Sequence, residues 1–335
     1  MFLGRAVAFR RWTSLELSRL RRRSPIPPVA ASLPPTATSS TVAVDVTNAA
    51  ARSGPPPIRV SLTESAGRGV FATRKIGAGE LIHSAKPLVT HPSSSLLRKV
   101  CYYCLRKLGQ ESSRSCYFCS EDCRENSKAF FEVEKRTDWS LYDDHCRVQG
   151  LKYPLMVKRL ACMILSGAVP ADSLDILQPA CLLPETLKEV EEEFELLKYT
   201  FMKAKFEDKQ MSFLTKQWYI NVLARIRINS FRIELVGGSY EDLLTSAAAS
   251  VEADAAVGNA IYMLPSFYNH DCDPNTHILW IENANAKLKA LHDIEAGEEL
   301  RICYIDVSMG CEARQKILAE GFGFKCSCLR CLSGE

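Results

Sequence analysis

The stretch that decides the fold runs from Asn269 to Asn275 and reads Asn-His-Asp-Cys-Asp-Pro-Asn. A second group of cysteines, spaced C-x-C-x2-C, follows near the end of the sequence: Cys326, Cys328 and Cys331. A C-x-C pair is poorly suited to a disulfide, because bridged cysteines need matched Cβ directions. Three thiolates leave a tetrahedral zinc site one ligand short, and Cys272 within the first stretch is the candidate for the fourth ligand.

An earlier cluster of cysteines also has the spacing of zinc ligands. A two-residue gap lets two thiolates close on one tetrahedral ion, and residues four apart share a helix face. The spacing therefore predicts a closed structural zinc site on four residues: Cys101, Cys104, Cys119 and Cys123. Three further residues, Cys116, His145 and Cys146, contribute at most a partial second site, and the pattern favours no second metal there.

The first 57 residues differ in composition from the rest of the chain. Eight arginines against two acids give them a charge of +6, so the overall +3 leaves −3 for residues 58–335. This body therefore offers no electrostatic case for binding nucleic acid. Arg-rich, acid-poor sequence followed by a Ser/Thr/Ala/Pro-rich stretch favours a transit peptide for mitochondria or plastids. A disordered basic tail with a nuclear address is the alternative.

The remaining composition narrows the class of protein. Of 335 residues, 47% are hydrophobic and 24% are charged, which is typical of a folded globular protein. No apolar run reaches the roughly 18 to 20 residues of a membrane span, so we expect no membrane insertion. Without a secretory leader the 14 cysteines favour metal over disulfides. Short alternating segments at 58–62, 276–282 and 286–290 predict strands, and the apolar spacing from Leu187 to Phe201 predicts an amphipathic helix.

The Asn269–Asn275 stretch resembles the signature of SET-domain protein lysine methyltransferases. The resemblance continues in three other places and covers roughly residues 58–335: Gly67-Arg68-Gly69, Asn229-Ser230-Phe231, and Gly297 to Leu300 leading to Tyr304. The C-x-C-x2-C group resembles the family's post-SET segment. A Cys-rich module inside the SET sequence resembles the MYND-type finger of the SET-and-MYND group, and plant trithorax-related proteins with a reduced finger are the nearest resemblance.

The resemblance implies an α+β fold in which short β-sheets carry an inserted zinc finger, a helical insert and a zinc-binding tail. The resemblance implies a split SET domain at 58–308 and a post-SET segment at 309–335, and the composition adds a leader or disordered tail at 1–57. The SET domain then contains the finger at 98–147 and the mainly helical insert at 150–257. The finger departs from the family pattern, because the intervening C-x2-C is absent, with Ser112 and Ser115 in about its place, and Tyr142 stands where the family has a histidine.

The resemblance also assigns roles to individual residues. Members of the family transfer a methyl group from S-adenosylmethionine to a lysine amine. The implied cofactor-binding residues are Gly67, Arg68, Gly69, Asn229, Asn269, His270 and Tyr304. Tyr304 is also the implied catalytic residue, and Tyr262 and Phe324 match positions that line the lysine channel.

Two functions are therefore expected, and the enzyme is favoured. The first is an S-adenosylmethionine-dependent protein lysine methyltransferase of the histone type, with structural zinc and a protein lysine substrate. That substrate is a histone tail or, if the leader directs the chain to an organelle, an organellar protein. The second is a catalytically weak chromatin or protein adaptor that docks through the finger. We expect a monomer that binds neither nucleic acid nor membrane.

Overall fold

The computed structural model describes residues 54–109, 117–236 and 256–335. In this part of the chain, short alternating or apolar segments form the strands β1 (Ile58–Leu62), β2 (Arg68–Ala72), β3 (Leu81–Ala85), β4 (Val89–Pro92), β5 (Ser230–Ile233), β6 (Gly258–Ile261), β7 (Asn269–His270), β8 (Thr276–Leu279), β9 (Ala286–Ala290) and β10 (Glu299–Ile302). The strands predicted around residues 58–62, 276–282 and 286–290 are thereby confirmed.

Segments with helical spacing form the helices α1 (Glu121–Arg136), α2 (Ser140–Val148), α3 (Tyr153–Leu165), α4 (Pro184–Lys203), α5 (Lys216–Asn229), α6 (Cys311–Phe322) and α7 (Leu329–Leu332). Single 3-10 turns lie at Ser94–Leu96 and Pro265–Phe267. The hydroxyl of Ser120 caps α1 by accepting from the main-chain N–H of Cys123. The helix therefore begins at Glu121, and the sulfur of Cys123 in its first turn lies beside that of Cys119, which precedes the cap. The helix predicted through 187–201 is confirmed as the greater part of α4.

The strands form three small sheets, with the orders β1-β2-β10-β7, β3-β9-β8 and β4-β6-β5. In the first sheet β10 pairs antiparallel with β2 and parallel with β7. The strand Asn269–His270 therefore lies beside Arg301–Ile302, so the signature stretch sits at an edge of the first sheet. The mixture of separate helices and small, mostly antiparallel sheets confirms the α+β class.

Two hydrophobic clusters form the core. One is built mainly from α2 to α5 and includes Phe194, Leu197 and Phe201 of α4, as the apolar spacing predicted. The other lies among the sheets and includes Val70, Leu288 and Leu300, each fully buried. The signature stretch adjoins this second cluster, because Tyr304 packs against it from one side.

A buried ion pair fastens the cysteine-rich segment to its neighbours. Nε of Arg159, on α3, donates to Oε1 of Glu134, on α1, at 2.5 Å, and the two side chains are 1% and 6% exposed. Nη1 of Arg159 also donates to the main-chain oxygens of Thr90 at 3.0 Å and Tyr102 at 3.3 Å. One guanidinium thus joins the finger, the helical insert and β4.

Residues Pro57–Glu335 form one compact unit. The leader predicted at 1–57 lies outside the described residues apart from 54–57, and so does most of the loop predicted at 237–258. The proposed domain bounds at 58–308, 98–147, 150–257 and 309–335 stay predictions. Among the described helices, none is long and apolar enough to cross a membrane.

Candidate active site and zinc centres

The signature stretch is tied to β10 through its last residue. Nδ2 of Asn275 donates to the main-chain oxygen of Glu299 at 2.8 Å and to Oε1 of Glu298 at 3.0 Å. Oδ1 of Asn275 accepts from the main-chain N–H of Arg301 at 2.8 Å. With the Asp271 N–H donating to the oxygen of Ile302 at 3.0 Å, these bonds hold the stretch against the strand that leads to Tyr304.

Asn269 connects the signature stretch with the glycine turn. Its Nδ2 donates to Oε1 of Glu299 at 2.8 Å and to the main-chain oxygen of Arg68 at 3.1 Å. Gly69 is required here by close approach, because a Cβ at this position would lie 2.5 Å from Oε1 of Glu299 and 3.1 Å from Nδ2 of Asn269. The predicted cofactor-binding residues Arg68, Gly69 and Asn269 are therefore brought together. At Gly67 the positive φ of 73° is the reason for glycine.

Arg68 and Asn229 both hold the segment before α4. Nη1 of Arg68 donates to the main-chain oxygen of Ile176 at 2.5 Å, and its guanidinium lies over the ring of Phe267. Nδ2 of Asn229 donates to the main-chain oxygen of Gln178 at 2.8 Å. The two residues thus meet through residues 176–178, although their contacts here are with protein groups.

His270 lies between the signature stretch and Tyr304, and its neighbours fix its tautomer. The main-chain N–H of Tyr304 donates to Nδ1 at 3.1 Å, so Nδ1 carries no proton. In the neutral ring the proton is then on Nε2, which lies 3.3 Å from Sγ of Cys272. Burial lowers the pKa of His270 to about 4, which keeps the ring neutral at physiological pH.

Tyr304 follows β10 and stands in an aromatic enclosure. Its ring centroid lies 5.1 Å from that of Phe322, 5.3 Å from that of His270 and 6.4 Å from that of Phe324. Its hydroxyl donates to the main-chain oxygen of Tyr268 at 2.6 Å. Burial raises the pKa of Tyr304, so the hydroxyl stays protonated and is suited to hydrogen bonding rather than to proton abstraction. Phe324 and Phe322 thus both lie beside Tyr304, and the role of Phe324 in the lysine channel stays a prediction.

Tyr262 occupies a different environment from the one expected of a channel wall. It is fully buried, and its ring packs against Phe231 at 5.4 Å. Its hydroxyl donates to the main-chain oxygen of Ala284 and accepts from Nε1 of Trp280 at 2.8 Å. In this structure Tyr262 is a core residue with a satisfied hydroxyl, and its role in the lysine channel stays a prediction.

The tail cysteines meet the signature stretch as their spacing suggested. The sulfurs of Cys272, Cys326, Cys328 and Cys331 all lie within 4.8 Å of one another. Sγ of Cys272 is 3.5 Å from that of Cys331 and 4.0 Å from that of Cys326. A tetrahedral zinc with bonds of about 2.3 Å places its sulfurs about 3.8 Å apart, so this donor set fits the ion.

The finger cysteines form a second set of the same kind. The sulfurs of Cys101, Cys104, Cys119 and Cys123 also lie within 4.8 Å of one another. Sγ of Cys119 is 3.5 Å from that of Cys104 and 3.6 Å from that of Cys123. These distances again match four thiolates around one zinc. Among the described residues, these two sets are the groups of three or more potential ligands that could hold a metal.

Packing explains why the remaining finger residues make no comparable group. Cys146 is 1% exposed in the helical core, and burial raises its pKa to about 12. The hydroxyl of Tyr142, which stands at the family's histidine position, lies 3.0 Å from the Tyr219 hydroxyl and from the main-chain oxygen of Pro154. Hydrogen bonding and apolar packing therefore occupy this place. Of the other two candidates, Nδ1 of His145 lies 3.7 Å from Oε1 of Glu192, and Cys116 lies outside the described residues.

Several residues of the site were missed by sequence reasoning. Phe322 packs against Tyr304, Glu299 accepts a hydrogen bond from Asn269 beside Gly69, and Arg314 reaches the tail cysteines, with Nη2 3.7 Å from Sγ of Cys331. Phe322 lies two residues from the predicted Phe324, and the Glu298-Glu299 pair belongs to a quoted motif, so both offered some signal. Arg314 is a lone arginine on α6, and its sequence context gave no indication that it contacts the cysteines.

Comparison with known protein families identifies one match. The SET domain model matches residues 67–305, which includes the glycine turn, the signature stretch and Tyr304. The SET domain of LSMT, solved bound to lysine and AdoHcy, aligns with 81% of this chain and 53% of that chain. That alignment has 14% identity and a TM-score of 0.37.

Curated relatives match most of the chain. The histone-lysine N-methyltransferase ATXR4 of Arabidopsis thaliana is 65% identical over 84% of this chain and 88% of its own length. A SET and MYND domain-containing protein of Dictyostelium discoideum is 24% identical over 77% of this chain and 79% of its length. The human histone-lysine N-methyltransferase SMYD3 is 28% identical over 82% of this chain and 62% of its length.

Proposed function

The chain belongs to the SET-domain family, and we propose that it transfers a methyl group from S-adenosylmethionine to a lysine ε-amine of a histone. The observation that carries this proposal is the placement of Tyr304. Its protonated hydroxyl is held at 2.6 Å from the oxygen of Tyr268, and its ring is enclosed by His270, Phe322 and Phe324. These two contacts support a role for Tyr304 in orienting a lysine nitrogen.

The enclosure favours the reactive form of the lysine. An amine with a pKa of about 10.4 costs roughly 4.6 kcal/mol to deprotonate at pH 7. Aromatic rings replace water around such an amine, and the loss of water favours its neutral form. No side chain is needed as a strong base, which agrees with a Tyr304 hydroxyl that keeps its proton. Alignment of the two reactants then supplies much of the remaining acceleration.

The residues around Gly69 fit S-adenosylmethionine, which supplies an electrophilic methyl group when bound. Asn269 and Asn229 offer side-chain amides, and Arg68 offers a guanidinium to the polar ends of such a molecule. Gly67 and Gly69 leave the main chain free of side chains beside Asn269. We assign cofactor binding to this group together with His270 and Tyr304, and lysine-channel roles to Tyr262 and Phe324.

We assign one structural zinc to each four-cysteine set. Neither zinc would take part in the transfer, because four thiolates would leave it no open position for a substrate. The finger zinc would stabilise a module that the buried Arg159 joins to α3 and β4. Such a built-in finger favours a structural role over the docking role of the adaptor alternative.

The cellular location depends on the substrate and on whether residues 1–57 act as a transit peptide. The relative named as a histone-lysine N-methyltransferase favours chromatin and a nuclear location, whereas the Arg-rich composition of residues 1–57 favours an organelle and an organellar substrate. A fusion of residues 1–57 to a fluorescent protein distinguishes the two. Import into mitochondria or plastids supports the transit peptide, and nuclear or cytosolic fluorescence rejects it.

The experiment that tests the proposed function is a methyl-transfer screen. The full chain, loaded with zinc, is incubated with radiolabelled S-adenosylmethionine and either core histones or an organelle extract. Label on a lysine of one of these proteins supports the enzyme and identifies its substrate class. Calorimetry that shows no S-adenosylmethionine binding by the folded, zinc-loaded chain would reject it in favour of the adaptor.

A further inference from the structure

Arg314 is a buried cation beside the tail cysteines. It lies on α6 and is fully buried, with 0% of the residue exposed. Its Nη2 is 3.7 Å from Sγ of Cys331. Its other contacts are main-chain oxygens: Nη1 donates to Met309 at 2.6 Å and Nη2 donates to Glu335 at 2.6 Å. Nε is buried without a hydrogen-bond partner.

Such a cation needs a negative partner, because burying an unpaired charge is costly. In the described part of the chain no aspartate or glutamate side chain forms an ion pair with Arg314, although many other arginines have one. The negative side chains that it reaches are the sulfurs of the four-cysteine set, and where Glu335 ends the chain its terminal carboxylate is a second negative partner. Four thiolates around Zn²⁺ leave a net charge of −2 in a largely buried place, and one guanidinium offsets half of it.

We propose that Arg314 is the counter-ion of the zinc site formed by Cys272, Cys326, Cys328 and Cys331. The inference rests on the zinc assignment made above and adds a residue that binds neither zinc nor substrate. A hydrogen bond to a ligand sulfur also orients that ligand, as outer-shell partners of metal sites generally do. Arg314 is thus a positioning residue, acting through Cys331.

The neighbouring residue extends the same function. Nε2 of Gln315 donates to the main-chain oxygen of Cys326 at 2.6 Å, and its Oε1 accepts from the N–H of Cys326 at 3.0 Å. Consecutive residues of α6 therefore contact two different ligands of the cluster: Gln315 the Cys326 main chain and Arg314 the Cys331 sulfur. The finger site provides an internal comparison, since no arginine donates to its sulfurs among the described contacts.

The test is zinc release to a chromogenic chelator, measured on the full chain. Outer-shell substitutions typically cost about 10- to 100-fold in metal affinity, so Arg314→Met should release one of two zincs about 10- to 100-fold faster than wild type. The second zinc, held by the finger, should be released at the wild-type rate. Lys316→Met is the matched control, because it removes a positive charge from the exposed face of the same helix and should change neither rate.

Two further variants keep the inference falsifiable. If Arg314→Met does not fold, Arg314→Lys, which keeps the charge but not the guanidinium, should still release the tail zinc faster than wild type and leave release from the finger unchanged. A chain that ends at Gly334 removes the contact with Glu335 and should retain zinc better than Arg314→Met, because the thiolate is the essential partner. Loss of zinc at least as fast in the shortened chain would instead make Glu335 the partner and overturn the inference.

The outcomes separate this inference from the proposed function. In a Cys328→Ser background, which lacks the tail zinc, Arg314→Met should leave the release rate of the remaining zinc unchanged. Unaltered release from Arg314→Met itself, or equal acceleration at both sites, would overturn the counter-ion role while leaving the methyltransferase proposal intact. A wild-type chain with no tail zinc would overturn the zinc assignment and the inference together.

Discussion

Nε2 of His270 lies 3.3 Å from Sγ of Cys272, on the opposite side of the ring from the nitrogen that accepts the Tyr304 N–H. One imidazole therefore joins a zinc-binding thiolate to the main chain of the residue proposed to orient the lysine. The same zinc set includes Cys326, two residues after Phe324. Loss of the tail zinc should consequently disturb Tyr304 from two directions.

Cys328→Ser tests this coupling. Cys328 contacts neither proposed substrate, yet the variant should lose one of two zincs and abolish methyl transfer, because structural zinc binding contributes about 10 to 16 kcal/mol in finger peptides. Elemental analysis and a transfer assay are made on the same sample. Near-normal turnover after loss of one zinc would contradict the coupling. Three zincs in the wild type would mean that Cys116, His145 and Cys146 form part of a further site.

Gly69→Ala should weaken S-adenosylmethionine binding while leaving the zinc content at two. The new Cβ would lie 2.5 Å from Oε1 of Glu299 and displace the group that Asn269 binds. Loss of such a partly buried polar contact costs about 1 to 3 kcal/mol, or roughly 5- to 150-fold in Kd. Calorimetry measures the change. Gly77→Ala is the control, since nothing lies within 4 Å of its Cβ, and equal affinities for the two variants would refute the assignment.

Arg159→Leu should destabilise the whole unit. Removing one partner of a buried ion pair leaves the other charge uncompensated and costs about 3 to 5 kcal/mol. Denaturant unfolding measures the free energy. Lys203→Met, which breaks an ion pair with Asp138 whose side chains are both more than half exposed, should change it little. An Arg159→Leu chain as stable as this control would show that the Arg159–Glu134 pair does not fasten the finger.

Stability should fall as the pH drops below about 6.5. His91 is buried and bonded to the oxygen of Pro92, and burial lowers its pKa well below the ordinary value, with Arg159 and Lys158 acting in the same direction. The unfolded chain then takes up a proton that the folded chain does not, so acidification lowers the free energy of unfolding. The contribution is complete above about pH 6.5 and is lost as the pH falls towards the lowered pKa.

The measurement compares the free energy of unfolding at pH 7.5 and pH 5.5, with zinc content followed in parallel. His91→Gln should reduce the difference between the two values. His292→Gln, at an exposed position, should preserve it. A His91→Gln chain with the full wild-type pH dependence would assign that dependence to other groups.

Sequence reasoning reached the parts of the site that depend on local spacing. The two C-x2-C groups, the 119/123 pair and the signature stretch placed both four-cysteine sets, and Phe324 met Tyr304 because a short tail is tied to Cys272. Contacts between distant segments left no such pattern. Helix packing determines the Arg159–Glu134 pair, the contact of Phe322 with Tyr304 and the burial of Arg314. The identity of a single residue in a helix does not predict which distant residue it will contact.

Tyr262 and Asn229 show that a motif position does not by itself predict the partners of a side chain. Both were expected at the site from motif positions. The structure shows Tyr262 bonded to Ala284 and Trp280 within the core, and Asn229 bonded to Gln178 at the end of α5. A motif position specifies a place along the chain, whereas the partners of a polar side chain depend on which segments pack beside it.

The most direct test of the proposed enzyme is the rate of methyl transfer from labelled S-adenosylmethionine to core histones by the wild type, Tyr304→Phe and Tyr199→Phe. Tyr199 is 54% exposed on α4, so its variant is a matched control. The wild type and the Tyr199→Phe control should both methylate lysine. The rate should be lowered by about 100-fold or more in Tyr304→Phe, with two zincs and cofactor binding retained. A Tyr304→Phe chain that methylates histones at the wild-type rate would contradict the account.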